Sequence, residues 1–153
     1  MGVIDQSKCP VKTGSIYPEP YASQMKGRSS LRLGDAGGLT QFGAFVETLA
    51  PGALSSDRHW HENEDEFLYV FSGEATVIED DGFHVLHAGD AACWKAGVAN
   101  GHQVRNRSSV PCSYLVVGTR AASDRVHYSD IDKLYPRENG VVRRTRRDGS
   151  VLG

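Results

Sequence analysis

From Leu39 the chain alternates in the manner of a strand. Thr40, Phe42, Ala44, Val46 and Thr48 fall on one face, and Gln41, Gly43, Phe45, Glu47 and Leu49 on the other. Apolar residues on both faces suit a strand inside a double-layered β fold. Ala50-Pro51-Gly52-Ala53 then reads as a turn. Arg58–His61 and Glu66–Phe71 follow as strands joined by the acidic loop Glu62-Asn63-Glu64-Asp65. Glu74–Glu79 and Phe83–His87 form a hairpin across Asp80-Asp81-Gly82, because Asp-Gly accepts the positive φ of a tight turn. Ala91–Trp94, His102–Asn106 and Cys112–Gly118 complete the series. Short strands spaced by roughly 8–12 residues with turn signals between them predict an all-β sandwich or barrel.

The two ends lack this regularity. Residues 1–38 are rich in Gly, Pro, Ser and Lys and read as an arm that packs on the barrel or on a partner, with one short strand at Arg28–Leu33. Residues 39–120 form the barrel and 121–153 a C-terminal extension. In the extension, Ser129–Leu134 reads as one helical turn stopped by Pro136, and 139–153 as two short extended pieces around Asp148-Gly149. An open β barrel must protect its edges, so long arms at both ends predict edge covering or strand exchange in a homodimer.

Composition narrows the function classes. A length of 153 residues, 39% hydrophobic and 24% charged, is one ordinary globular domain that buries roughly 70% of its unfolded surface. The net charge of −2 gives no general attraction to nucleic acid or to an acidic membrane. No apolar run reaches the length of a membrane span, and the first residues lack the apolar core of a secretory signal. Cys9, Cys93 and Cys112 are odd in number and unpaired in pattern, as expected of a reduced, cytoplasmic chain.

The candidate chemistry centres on Arg58–Gly73. His59 and His61 are two apart on a strand and share a face, with Trp60 opposite. Glu66 opens the next strand, and His102 lies in a later one. Three imidazoles and a carboxylate suit one divalent transition metal (Zn, Mn, Fe, Ni, Co or Cu) and leave positions open for a substrate. Glu64 has the same parity as Glu66 and competes with it for the carboxylate role. Trp94, Tyr69 and Tyr114, with Phe71, are candidate walls of a substrate cavity or of the core. Gln103 and Asn106 are candidate donors beside the site. Cys93 reads as a small packed apolar residue, and His84 and His87 as ordinary strand residues. The sequence does not place His127. Arg143-Arg144 and Arg146-Arg147 read as a solvated strand, or alternatively as a clamp for phosphate or carboxylate. No general base stands out beyond the candidate ligands.

The spacing Gly52-x6-His59-x-His61-x4-Glu66-x6-Gly73 resembles the first signature of the cupin superfamily. Gly89 to Asn106, with Gly97 and His102, resembles its second. Six residues rather than five separate Gly52 from His59, Lys95 replaces a usual proline, and four residues rather than two separate Gly97 from His102. The resemblance covers about Leu39–Gly118. It implies a double-stranded β-helix, or jelly roll, and His59, His61, Glu66 and His102 as metal ligands, with an oxygen or amide near His102 as the alternative fourth donor. Small single-domain cupins of this outline include those assigned as sugar-phosphate isomerases. The implied function is a metal-dependent enzyme on a sugar, sugar phosphate or keto-acid, of isomerase or epimerase type. A metal-dependent dioxygenase and a non-catalytic barrel that senses a small ligand are the alternatives.

Overall fold

The structure, a computed structural model, describes residues 2–15, 19 and 22–152. The remaining residues belong to the two terminal arms read from the sequence and lie outside the description. Thirteen strands run from β1 (Val11–Thr13) and β2 (Arg28–Leu31) through β3 (Phe42–Leu49), β4 (His59–His61), β5 (Glu66–Ser72), β6 (Glu74–Glu79) and β7 (Gly82–His87). They continue as β8 (Ala91–Trp94), β9 (Gln103–Arg105), β10 (Cys112–Thr119), β11 (Ser123–Tyr128), β12 (Leu134–Glu138) and β13 (Val141–Val142). The one α-helix among the described residues is α1 (Leu33–Ala36), and no helix is long and apolar enough to cross a membrane.

All pairings are antiparallel. One sheet has the order β1-β2-β3-β10-β5-β8, a second β13-β12-β11-β4 and a third β7-β6-β9. The bridges His59↔His102 and Leu54↔Arg105 tie the residues around β4 to those around β9 and so link the second and third sheets. This is the double-stranded β-helix of the cupin resemblance. The core between the sheets is built from Leu49, Leu68, Val70, Val77, Val104 and Tyr114 with their neighbours. Each takes the inward position of an alternating strand, where burying a large apolar side chain contributes about 1.5–3 kcal/mol.

Gly73 closes β5 at φ +72, and a Cβ there would stand 2.5 Å from the Pro111 carbonyl oxygen. Only glycine fits both the backbone angle and the approach. At the start of the chain, β1 pairs with β2 and β2 with β3, so the first residues extend the six-stranded sheet of this same chain.

The structure corrects the reading of the extension. Ser129–Leu134 forms no helix. Lys133 is drawn inward, its ammonium 2.7 Å from Asp57 and 3.9 Å from the centre of the Tyr128 ring, and Leu134 already begins β12. Pro136 sits inside β12 rather than stopping a helix. Asn139 and Gly140, both at positive φ, turn β12 into β13.

Candidate metal centre and its cavity

β4 has only three residues, yet it decides the site. His59 and His61 project to the same side, with ring centres 5.1 Å apart, and Trp60 goes to the other, where it stacks on His127 at 4.1 Å. His102 is brought alongside by backbone pairing, since the His102 amide donates to the His59 carbonyl at 2.8 Å and the His59 amide returns the bond at 3.1 Å. Glu66 comes from the opposite side, at the start of β5 in the six-stranded sheet. Its Oε2 lies 3.3 Å from His102 Nε2 and 3.8 Å from His61 Nε2. Donor atoms of His59, His61 and Glu66 all fall within 4.8 Å of one another.

The ring nitrogens are oriented from behind. His59 Nδ1 is 2.9 Å from the Asp57 carbonyl oxygen, which can only accept, so Nδ1 carries the proton and Nε2 the lone pair. His61 Nδ1 donates to Asp124 Oδ2 at 2.7 Å, which leaves His61 Nε2 facing Glu66. Asp124 is itself buried and accepts from the Asn63 amide at 2.9 Å. His102 is clamped differently. Its ring lies 3.8 Å from Trp94 and nearly parallel to it, and its buried Nδ1 has no hydrogen-bond partner among the described residues.

This arrangement sets charge. Desolvation in the cluster pushes His59 down to about 3, helped by the adjacent His102 and His61, so it is neutral at physiological pH. For Glu66, desolvation works upward, but the His102 hydrogen bond and the charges of the three imidazoles hold it at about 2. His61 also meets desolvation, which works downward. The bond to Asp124 and the carboxylates Glu66 and Glu64 outweigh it and raise the imidazole above its usual value. A neutral His59 lone pair beside an ionised Glu66, with His61 Nε2 able to give up its proton on binding, forms a donor set that fits a first-row divalent ion.

The cluster opens into a cavity of about 600 Å³. Of the residues expected at a substrate site, Trp94 and Tyr114 line it, whereas Tyr69 and Gln103 do not. Strand parity is the reason. Glu66 points inward, so Leu68 and Val70 do too, and Phe67, Tyr69 and Phe71 face out, Phe71 being 49% exposed. The inward positions of His102 and Val104 likewise turn Gln103 away. Cys93, expected to be packed, is exposed for the same reason, since Trp94 takes the inward position of β8. His84 and His87 lie on β7, mostly exposed. Asn106 is fully buried and fixes a loop, donating to the Leu49 and Val110 carbonyls.

None of the four tail arginines lines this cavity. Arg147 donates instead to the Tyr128 carbonyl at 2.7 Å. The cavity's cations are Lys12, Arg28, Arg32, Arg120 and Arg137. Two carboxylates outside the cluster also reach it. Glu47 is saturated, accepting from Tyr114 Oη at 2.9 Å, Arg28 Nε at 2.9 Å and Ser30 Oγ at 2.8 Å. Glu64 is held by one oxygen only. Its Oε1 accepts from the Ala121 amide at 2.9 Å and from Arg137, while Oε2 stands 3.6 Å from His61 Nδ1.

Comparison with known proteins agrees with this geometry. The Cupin_2 family (cupin domain) matches residues 45–118. The chain is 44% identical to a sugar phosphate isomerase of the cupin superfamily from Silicibacter pomeroyi DSS-3. That match covers 99% of this chain and 96% of the other with a TM-score of 0.94. A protein from Acidithiobacillus ferrooxidans ATCC 23270, itself proposed to be a sugar phosphate isomerase, is 28% identical over 82% of this chain and 80% of its own, with a TM-score of 0.75. The polyketide cyclase RemF from Streptomyces resistomycificus shares the fold alone, at 20% identity over 78% of this chain and 79% of its own, with a TM-score of 0.62. No curated protein matches the chain.

Proposed function

The chain belongs to the cupin superfamily, and we propose that within it this protein is a metal-dependent isomerase acting on sugar phosphates. The observation that carries the reading is the convergence of His59, His61 and Glu66 on one point at the wall of a cavity, with His102 beside them. Histidine orientation and an ionised carboxylate prepare that point before any ion arrives. The 44% identical relative supports the substrate class.

His59, His61, Glu66 and His102 would hold the ion. Such an ion supplies Lewis-acid polarisation of a carbonyl, which makes the neighbouring C–H acidic. Moving that proton requires a base, and Glu64 is the one we assign. The Ala121 amide and Arg137 fix one of its oxygens, and the other takes no hydrogen bond among the described residues. Tyr114, whose hydroxyl is held protonated by burial and by the Glu47 charge and donates to Glu47, is a neutral wall of the cavity. The partner we propose is a second copy of the chain, meeting the outward row Phe67, Tyr69 and Phe71, three aromatic side chains exposed side by side on one face of the sheet.

The test begins with elemental analysis of protein purified without chelator, for wild type, for His59→Ala with His61→Ala, and for Glu64→Gln. Near-stoichiometric metal is expected in wild type and in Glu64→Gln, and none in the double variant. Isomerisation of sugar phosphates, followed by solvent deuterium uptake, should fall by roughly 10²–10⁴ in Glu64→Gln. A metal-free wild type after reconstitution overturns the metal reading. Undiminished deuterium uptake in Glu64→Gln overturns the base.

A further inference from the structure

At the far end of the cavity from the donor cluster, two arginines face inward while the carboxylate that pairs with both stands behind them. Arg32 Nε donates to Asp35 Oδ2 at 3.2 Å, and Arg120 donates to Asp35 Oδ1. Both arginines line the cavity, and Asp35 does not. Arg32 lies flat over the Phe45 ring, 4.3 Å from its centre, and its terminal amino groups have no protein acceptor among the described residues. Arg120 is anchored through the Leu39 carbonyl at 2.7 Å and lies against Gly43, where a Cβ would touch its guanidinium at 3.5 Å. Two forks thus share one negative charge and present unspent donors to the cavity.

The floor between this pair and the cluster is bare. Gly43 pairs with Gly118 across β3 and β10, and Gly118 pairs with Glu66 across β10 and β5. The three form one row across the sheet, all on the inward parity, and both glycines line the cavity. Neighbouring strands are about 4.8 Å apart, so Gly43 and Glu66 are separated by about 10 Å of backbone carrying no side chain between them.

We infer that Arg32 and Arg120 form a clamp for the terminal phosphate of a sugar monophosphate whose other end lies at the His59–His61–Glu66 cluster, with Gly43 and Gly118 as the cradle beneath the carbon chain. The clamp deepens the isomerase reading and rests on it for what occupies the cluster. Guanidinium forks match phosphate oxygens two at a time. The row is about as long as an extended five- or six-carbon sugar phosphate. A carbonyl sugar without phosphate would engage only one end.

The experiment measures equilibrium binding of inorganic phosphate, ribose 5-phosphate and ribose to wild type, Arg32→Gln, Arg120→Gln, Gly118→Val and His61→Ala, with metal content recorded in every sample. Inorganic phosphate should bind wild type and His61→Ala alike and bind each arginine variant about 10- to 100-fold more weakly. Ribose 5-phosphate should bind wild type more tightly than either fragment. Gly118→Val should remove that advantage while leaving phosphate affinity unchanged. Its added Cβ meets nothing closer than the Asp65 carbonyl oxygen at 3.6 Å, an ordinary contact, and the unchanged phosphate affinity serves as the check that the variant is folded. Phosphate affinity indifferent to both arginine variants overturns the clamp, as does phosphate binding that disappears in His61→Ala with both arginines intact. A metal-free wild type that still shows arginine-dependent phosphate binding supports the clamp and overturns the metal reading alone.

Discussion

In the six-stranded sheet, β5 and β10 turn Leu68, Val70, Tyr114 and Val116 into a shared apolar core. In the sheet of β4, β11, β12 and β13 the buried groups include Asp124, Lys133 and Thr145. Apart from the hydrogen bonds of the buried Glu47, the first sheet is held by area removed from water, which is non-directional and forgiving of exact geometry. The second is held by pairs that must meet atom to atom: Lys133 on Asp57, Asp124 on His61. Each of these pairs reaches the strand of the two histidines. Asp57 accepts from His59 through its carbonyl and takes Lys133 on its carboxylate. The sheet that packs with less oil is the one that aims the histidines, and the difference assigns stability to one layer and orientation to the other.

The sharpest way to break this division is Asp57→Ala, which removes the carboxylate partner of an ammonium that is 1% exposed. Removing one partner of a buried pair costs about 3–5 kcal/mol, and chemical denaturation of the variant should show a loss of that size. Lys133→Met, which removes the charge and keeps the bulk, should recover most of it. Leu68→Ala tests the other layer. Because Leu68 borders the cavity, the gap can take up water, and the loss should sit at the low end for such truncations, about 2 kcal/mol. Asp124→Asn separates orientation from stability. Metal affinity should fall roughly 10- to 100-fold, by competition with a chromogenic chelator, while the unfolding midpoint moves little. A large stability loss with unchanged metal affinity would make Asp124 a purely structural residue.

A titration sharpens the comparison further. In metal-free protein His59 sits at about 3 against its usual 6.5, and Glu66 at about 2 against 4.5. Both folded values are depressed, so the unfolded chain binds the proton first. Stability therefore falls with falling pH, through roughly pH 6.5 to 3 for His59 and 4.5 to 2 for Glu66, at up to about 1.4 kcal/mol per pH unit for each group. His61 is raised and acts in the opposite sense, stabilising the acid side and losing that contribution as pH rises past its folded value. Thermal melts of metal-free wild type should drop steeply below pH 6, and those of His59→Ala should drop less. A Phe71→Glu variant gives the smallest effect on the fold. It should leave melting nearly unchanged and convert a dimer to a monomer in light scattering.

The two layers were unequally legible in the sequence. Strands between Phe42 and Thr119 announce themselves by alternation and by turn pairs such as Asp81-Gly82, and the donor set by its spacing. Tyr69 and Gln103 suit a substrate site by chemistry, although counting two at a time from Glu66 and His102 turns both outward. The second sheet hides because Asp124, Lys133 and Thr145 are buried in and beside it together with Tyr128 and Tyr135, and a hydropathy pattern reads the first three as surface. Pro136 looked like a terminator, yet β12 keeps its pairing with β11 around it, opposite Arg125. Glu64 shares the parity of Glu66, but its partner Arg137 lies 73 residues away, beyond any local signal. Arg32 and Arg120 meet only because Asp35 joins them, and no local signal connects their segments.

Pairing of β3 with β10 joins Phe42 to Thr119, and the hydrogen bond from His61 to Asp124 spans 63 residues. A chain emerging from the ribosome therefore carries both histidines of β4 long before it has the strand that orients them. Until β11 emerges, His59 and His61 lie on a segment with no partner for that edge, and such non-local closure is slow. For most of that interval the two imidazoles lack both the Asp124 acceptor and the His102 bridge that orient them. The aiming of the histidines is thus among the last features of the fold that synthesis can complete.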